Sequence, residues 1–360
     1  MLIRRLGFAL PLLLPLLVLG GAAVGGAGNF AVPAFIFAVL PLGDALLGED
    51  CVTVAPRGAV GRGWRAWFDA ILYAWVPIQL ALIVWGAAAV GAAFRPGAVA
   101  DPVALAGLVV SVGILSGGIG ITVAHELGHR RGRIDRSLAC LLLASVSYAH
   151  FHIEHNQGHH AHVATPLDPA TARRGESFYR FLPRTLRDGY AGAWRIERAR
   201  LAARGRGTAS PYNRMLWLAA APLLCMLALS LAFGVAAAVF FAAQSAVAFT
   251  LLELVNYLEH YGLERRRGAD GRYERVAPEH SWNSSQRLTN WYLFNLRRHS
   301  HHHTRVARHY QELEHVAGAP QLPTGYAAMI LLALVPQLWY RVMDPRLAAW
   351  QRSYRAAPAA

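Results

Sequence analysis

His125 and His129, in the stretch AHELGHRRG, stand four residues apart, so on one helix they share a face and can grip a single metal ion. Alone, this HExxH pattern suggests a zinc protease with Glu126 as general base. The four-residue step recurs in HFHIEHNQGHHAH, at His155 and His159. His160 lies about 100° further round the helix, placed to reach a second metal or the open side of the first. His150, His152 and His162 are less well placed and read as supporting residues. In NLRRHSHHHTR, His299, His302 and His303 fall at i, i+3 and i+4 on one helix face, while His301 points elsewhere. His260, in NYLEHYG, closes a long apolar run. These nine imidazoles exceed what one tetrahedral zinc can use, and suit two metals with five or fewer each. Imidazole accepts zinc, copper, iron or nickel. A dinuclear redox metal at the end of an apolar bundle, with no hydrophilic cleft, fits oxygen chemistry on a lipid-soluble substrate.

The elements that must position these groups are membrane helices. All 16 histidines fall at or after His125, and the first third of the 360-residue chain is apolar instead. Runs at 6–27, 29–48, 67–93 and 102–124 each approach the ~20 residues a bilayer-spanning helix needs. Two more, at 215–234 and 235–258, complete three hairpins. Shorter runs at 137–151 and 326–340 read as interfacial or packed against the bundle. The expected fold is an all-α integral membrane protein: one catalytic unit over 1–360, six transmembrane helices and a histidine-rich helical cap from segments 125–213 and 260–360. The amino terminus imitates a secretory signal, but cleavage would leave an odd number of spans, so it is kept as the first helix.

Charge sets the orientation. All 35 basic residues are arginine, and 29 of them lie beyond His125. With the amino terminus inside, Arg4, Arg5, the loop from Arg57 to Arg65 and both long polar segments fall on the cytoplasmic face. Both termini and every histidine then share that side of the membrane. A net charge of +14 meets anionic lipid headgroups at such a face, and no nucleic-acid motif accompanies it. Cys51, Cys140 and Cys225 are isolated, which excludes a disulfide framework and an internal rubredoxin or zinc ribbon.

HELGHR, EHNQGHH and RRHSHHH resemble the three histidine boxes of the integral-membrane di-iron desaturases and hydroxylases. NYLEHYG narrows this, being similar to the hallmark of the membrane-bound alkane 1-monooxygenases. ATPLDPATARRGESFYRF, DGRY, HSWNS and LPTGY agree with that family, and the resemblance runs from about residue 40 to 346. It implies two non-haem iron ions held by the nine histidines, with O2 as co-substrate. It implies also that terminal methyl groups of n-alkanes become primary alcohols, on electrons from rubredoxin and its NAD(P)H-dependent reductase. The chain departs from the pattern at His301, where Asp is usual, at Arg297, where Gln is common, and at Arg130, where Lys is frequent.

Around these ligands the sequence offers further candidates. Glu126, Glu154, Asp168 and Glu259 could bond ligand imidazoles at their free nitrogens and fix their tautomers, and His301 could substitute as an acceptor or bind metal itself. Gly117, Gly118 and Gly120, with Phe249, Leu252 and Leu254, could wall an apolar substrate channel, or simply pack helices. Arg130, Arg131, Arg297, Arg298 and Arg305 could dock an acidic electron donor. Three rivals remain. An intramembrane zinc protease, with Asp168 as third ligand, would leave most of the histidines idle. A related di-iron enzyme could act on fatty acyl chains or alkyl-aromatic methyl groups. A metal transporter would need ligands within the membrane thickness, not at its edge.

Overall fold

The computed structural model describes residues 2–53 and 62–356; Arg57 of the expected arginine loop lies outside them. Among these residues the regular elements are helices, with only isolated β-bridges between loops. The apolar runs become α1 (Leu10–Val24), α2 (Gly26–Leu47), α3 (Gly63–Ala93), α4 (Pro102–Gly128), α5 (Arg133–Ala144) and α6 (151–162). Beyond them lie α7 (Phe178–Ala202), α8 (Arg214–Phe233), α9 (Val235–His260), α10 (Arg287–Tyr292), α11 (His299–Thr304), α12 (Tyr326–Ala333) and α13 (Pro336–Ala356). The protein is a multi-pass membrane protein: α2, α3, α4, α8 and α9 are each long and apolar enough to cross a bilayer.

Local chemistry explains the boundaries. Asp101 caps α4, its carboxylate accepting from the Val103 and Ala104 amides, with Pro102 at the first helical position. Asn213 caps α8 through the Met215 amide. Gly234, at φ 91°, breaks the apolar stretch into the α8–α9 hairpin, since that backbone region favours glycine.

The ends of the chain differ from expectation. The run at 6–27 is not one continuous helix: Leu2–Gly7 and α1 are separate, and α1 is shorter than the helices long enough to cross a bilayer. Pro11 and Pro15 cannot donate to a helical ladder, and the segment turns through a 3-10 stretch at Leu10–Leu13. The run at 326–340 joins α12 to α13 through a bend of 120°, which reads as a broken span or a re-entrant loop. α5, from the run at 137–151, packs against the end of α4.

α9 is the central column, packing against α3, α4, α8 and α12. Two π-helical turns interrupt the elements that carry histidines: Ser116–Gly120, just before His125, and His155–His159. Such turns cluster at functional sites because the wider ring re-aims the side chains that follow.

Candidate metal centre

The nine histidines converge on one end of the bundle from α4, α6, α9 and α11. They fall into two groups, in each of which the ligand nitrogens all lie within 4.8 Å of one another. One group is His125, His129, His155, His160 and His302; the other is His159, His260, His299 and His303. In the first, Nε2–Nε2 distances are 3.2 Å for His129–His125, 3.2 Å for His129–His155 and 3.0 Å for His160–His155. In the second they are 2.9 Å for His303–His299, 3.2 Å for His299–His260 and 3.3 Å for His159–His303. A neutral imidazole has one donor and one acceptor nitrogen, so four or five Nε2 atoms aimed at one point cannot satisfy each other. Such convergence is the spacing of donors around a shared cation.

The partition corrects the simple helical reading. His155 and His159 fall in different groups, and His302 is parted from His299 and His303. In the π turn the His160 amide donates to the His155 carbonyl, five residues back and not four, which widens the ring by one residue. His155 and His160 therefore aim together, and His159 is turned to the second group. Within α11, His302 joins the first group and His299 and His303 the second, so the short helix wedges between the two.

Burial favours the neutral form, the one a metal needs, in most of the imidazoles outside the spans. It pushes His129 down to about 4, and lowers His155, His160, His299, His302 and His303 well below their ordinary value, with neighbouring imidazoles adding to the effect. His159 is the exception. Burial acts against its charged form, but Asp168 outweighs it and raises the value. Asp168 accepts from His159 Nδ1 at 2.9 Å and from Thr171 at 2.6 Å, which leaves Nε2 of His159 free for a metal.

The other carboxylates are placed differently. Glu259 meets His299 at Nε2, 3.1 Å away, on the nitrogen that faces the group and not the free one, and also accepts from Tyr326 at 2.7 Å. Glu126 bonds Arg130 and faces His309, with no ligand imidazole as partner. Glu154 is buried and makes no bond to an imidazole among the described residues. His301 is turned away from both groups and accepts the Glu314 amide at 2.9 Å, so it serves as a backbone acceptor. His150 packs against Tyr148 and Tyr190, and His162 is exposed.

An apolar cavity, open at its mouth, ends at His125, His155 and His299. Leu251, Leu252, Val255 and Ile330 line it, with Gly117 and Gly118. Of the three glycines only Gly118 has room for a side chain: a Cβ there would meet nothing nearer than Leu251 at 3.7 Å. One on Gly117 would come within 2.6 Å of the Ala248 carbonyl, and one on Gly120 would strike Gln79, so these two serve helix packing. Phe249 and Leu254 do not line the cavity; Phe249 stacks on Tyr148. Tyr148 in turn bonds Glu253, a buried network with Thr185 and Asn256 that sequence reasoning missed, having no periodic signal of its own.

The arginines also sort themselves. Arg131 and Arg305 are exposed, as docking requires. Arg130 is committed to Asp69 at 2.8 Å and to Glu126, while Arg297 and Arg298 are buried and unavailable to a soluble partner. Arg298 donates to the Leu313, Asp50 and Val52 carbonyls, and Arg297 lies 3.5 Å over the Tyr326 ring. Burial lowers Arg297 to about 10, so it remains charged at neutral pH.

An apolar helical bundle with two adjoining imidazole groups at one end of its cavity defines a class: membrane-embedded proteins built around a non-haem metal centre. Comparison with known proteins agrees, the fatty acid desaturase family model matching residues 100–333. The chain is 44% identical to alkane 1-monooxygenase 2 of Pseudomonas aeruginosa, over 92% of this chain and 87% of that protein. It is 42% identical to alkane 1-monooxygenase 1 of the same organism, over 89% and 83%, and 41% identical to alkane 1-monooxygenase of Ectopseudomonas oleovorans, over 87% and 77%. The chain belongs to the alkane 1-monooxygenases of the fatty acid desaturase family, and is an enzyme of that kind.

Proposed function

We propose that the protein hydroxylates the terminal methyl of n-alkanes to primary alcohols at a di-iron centre held by the nine histidines. The observation that carries this is the cavity, whose apolar wall leads directly to His125, His155 and His299. In balance, an alkane, O2, two electrons and two protons give a primary alcohol and water. Iron bound by the two histidine groups would supply the redox and oxygen chemistry; zinc, having no redox couple, would not.

The chain's own residues supply placement. An alkane offers no polar handle, so the cavity wall selects its end carbon by shape and excludes water from the reacting end. Asp168 fixes the tautomer of His159, as its 2.9 Å bond implies. Glu126 is occupied by Arg130 and His309, which argues against the general-base role a zinc protease would give it. Rubredoxin, served by an NAD(P)H-dependent reductase, would deliver electrons at the cytoplasmic face of the inner membrane. Exposed Arg131 and Arg305, beside the first and third histidine stretches, are suited to steer an acidic donor.

The test is turnover of octane by the purified protein with rubredoxin, its reductase and NADH, with products resolved by gas chromatography. Octan-1-ol is expected. An alkene, a secondary alcohol as main product, or no oxidation of octane would overturn the assignment.

A further inference from the structure

Arg297 is 1% exposed, and none of its three guanidinium nitrogens has a hydrogen-bond partner among the described residues. Its neighbour in sequence shows the contrast: Arg298, equally buried, donates to three backbone carbonyls. A buried guanidinium without hydrogen-bond partners is expensive, since a cation–π contact with Tyr326 alone does not replace its lost hydration. The nearest carboxylates are engaged elsewhere. Glu259 accepts from Tyr326 and faces His299, and Asp44 accepts twice from Thr289, through its amide and its hydroxyl. Arg297 does, however, line the apolar cavity, beside Leu293, Leu296, Ala327 and Ile330.

We propose that Arg297 makes the inner end of this cavity a binding site for the carboxylate head of a single-chain alkyl acid. A guanidinium fork matches a carboxylate through two parallel charge-assisted bonds, and the Tyr326 ring beneath it fixes the plane in which they form. The same tyrosine connects through Glu259 to His299, so the head sits at the histidine end and the tail runs outward along the aliphatic wall. A chain bound in this sense keeps its methyl away from the histidines. It is an occupant of the cavity and not a substrate. Resting on the proposed alkane reaction, one consequence follows: alkyl carboxylates, the class formed when primary alcohols are oxidised further, would hold the enzyme back by competing with alkane.

The test uses the full, metal-loaded protein in nanodiscs of zwitterionic lipid near neutral pH, with calorimetric binding of octanoate, methyl octanoate and octan-1-ol. Octanoate should bind the wild type at least about tenfold more tightly than its methyl ester, the worth of one bidentate charged contact. In Arg297→Gln that preference should fall to within about twofold, while octan-1-ol affinity and metal content are unchanged. Equal affinity of octanoate and its ester in the wild type would overturn the site, and needs no variant to read. A preference that survives in Arg297→Gln would place the head on the metals or on surface arginines, and would overturn it equally. Binding is read without turnover, so failure of the alkane reaction leaves this result legible.

Discussion

Asp168 shows how one residue decides what a histidine can do. Its carboxylate holds His159 at Nδ1, so that Nε2 points into the group with His260, His299 and His303. Asp168→Ala should therefore weaken metal binding in that group by about ten- to a hundredfold and leave the five-histidine group loaded. Titration of the loaded protein with a chelator, following metal per chain, checks this; loss of both metals in parallel would contradict it. That nine histidines would gather was legible in the sequence, because helical spacing and the boundary of an apolar run mark such residues. How they divide was not. His155 pairs with His160 through a π turn, and no residue type announces that extra member of the helical ring. The roles of the arginines were equally hidden, since Arg297 and Arg298 read as surface charges until packing buries them.

At the scale of elements, Gly118 on α4 faces the cavity seven residues before His125, and its neighbour Gly117 packs on α9. That separation is about 10 Å along the helix, the length of roughly eight extended carbons. Gly118→Leu should thus abolish turnover of dodecane and longer alkanes while keeping that of hexane within about threefold, in a chain-length series with product detection. Gly117→Leu should instead overpack the α4–α9 contact and destabilise by about 1–3 kcal/mol. Unchanged chain-length range in Gly118→Leu would show that substrate takes another route. A second element, α7, is tied to α8 through Glu197, buried and bonded to Arg200 and Arg214. Burial would raise the Glu197 pKa, but the arginines outweigh it and hold it at about 2. A value below the unfolded one, about 4.3, stabilises the fold above that pH, and the contribution is lost as pH falls towards 2. Glu197→Gln should lower stability by about 1–3 kcal/mol near neutral pH, and the gap should narrow in acid; thermal unfolding at both conditions reads it, and a constant gap would contradict it. Spans α2, α3, α4, α8 and α9 were readable as apolar runs. The split of the first run and the bend between α12 and α13 were not, because prolines and tertiary packing, not hydropathy, set them.

At the scale of the whole molecule, three requirements meet at one end of the bundle. Helices α2, α3, α4, α8 and α9 set an apolar interior, the histidines gather where that interior ends, and the cavity joins the two. Under the proposed function, arginine placement would turn the metal centre towards a soluble electron donor, and the cavity would draw its substrate from lipid. The proposed function rests on nine imidazoles, in groups of five and four, each group holding one metal. The most direct measurement is therefore iron and zinc per chain in the purified protein, for the wild type, His129→Ala, His260→Ala and His301→Ala. Close to two irons in the wild type are expected, with about one lost in each of the first two variants and none with His301→Ala. A single zinc, or iron that depends on His301 and not on His260, would contradict the account.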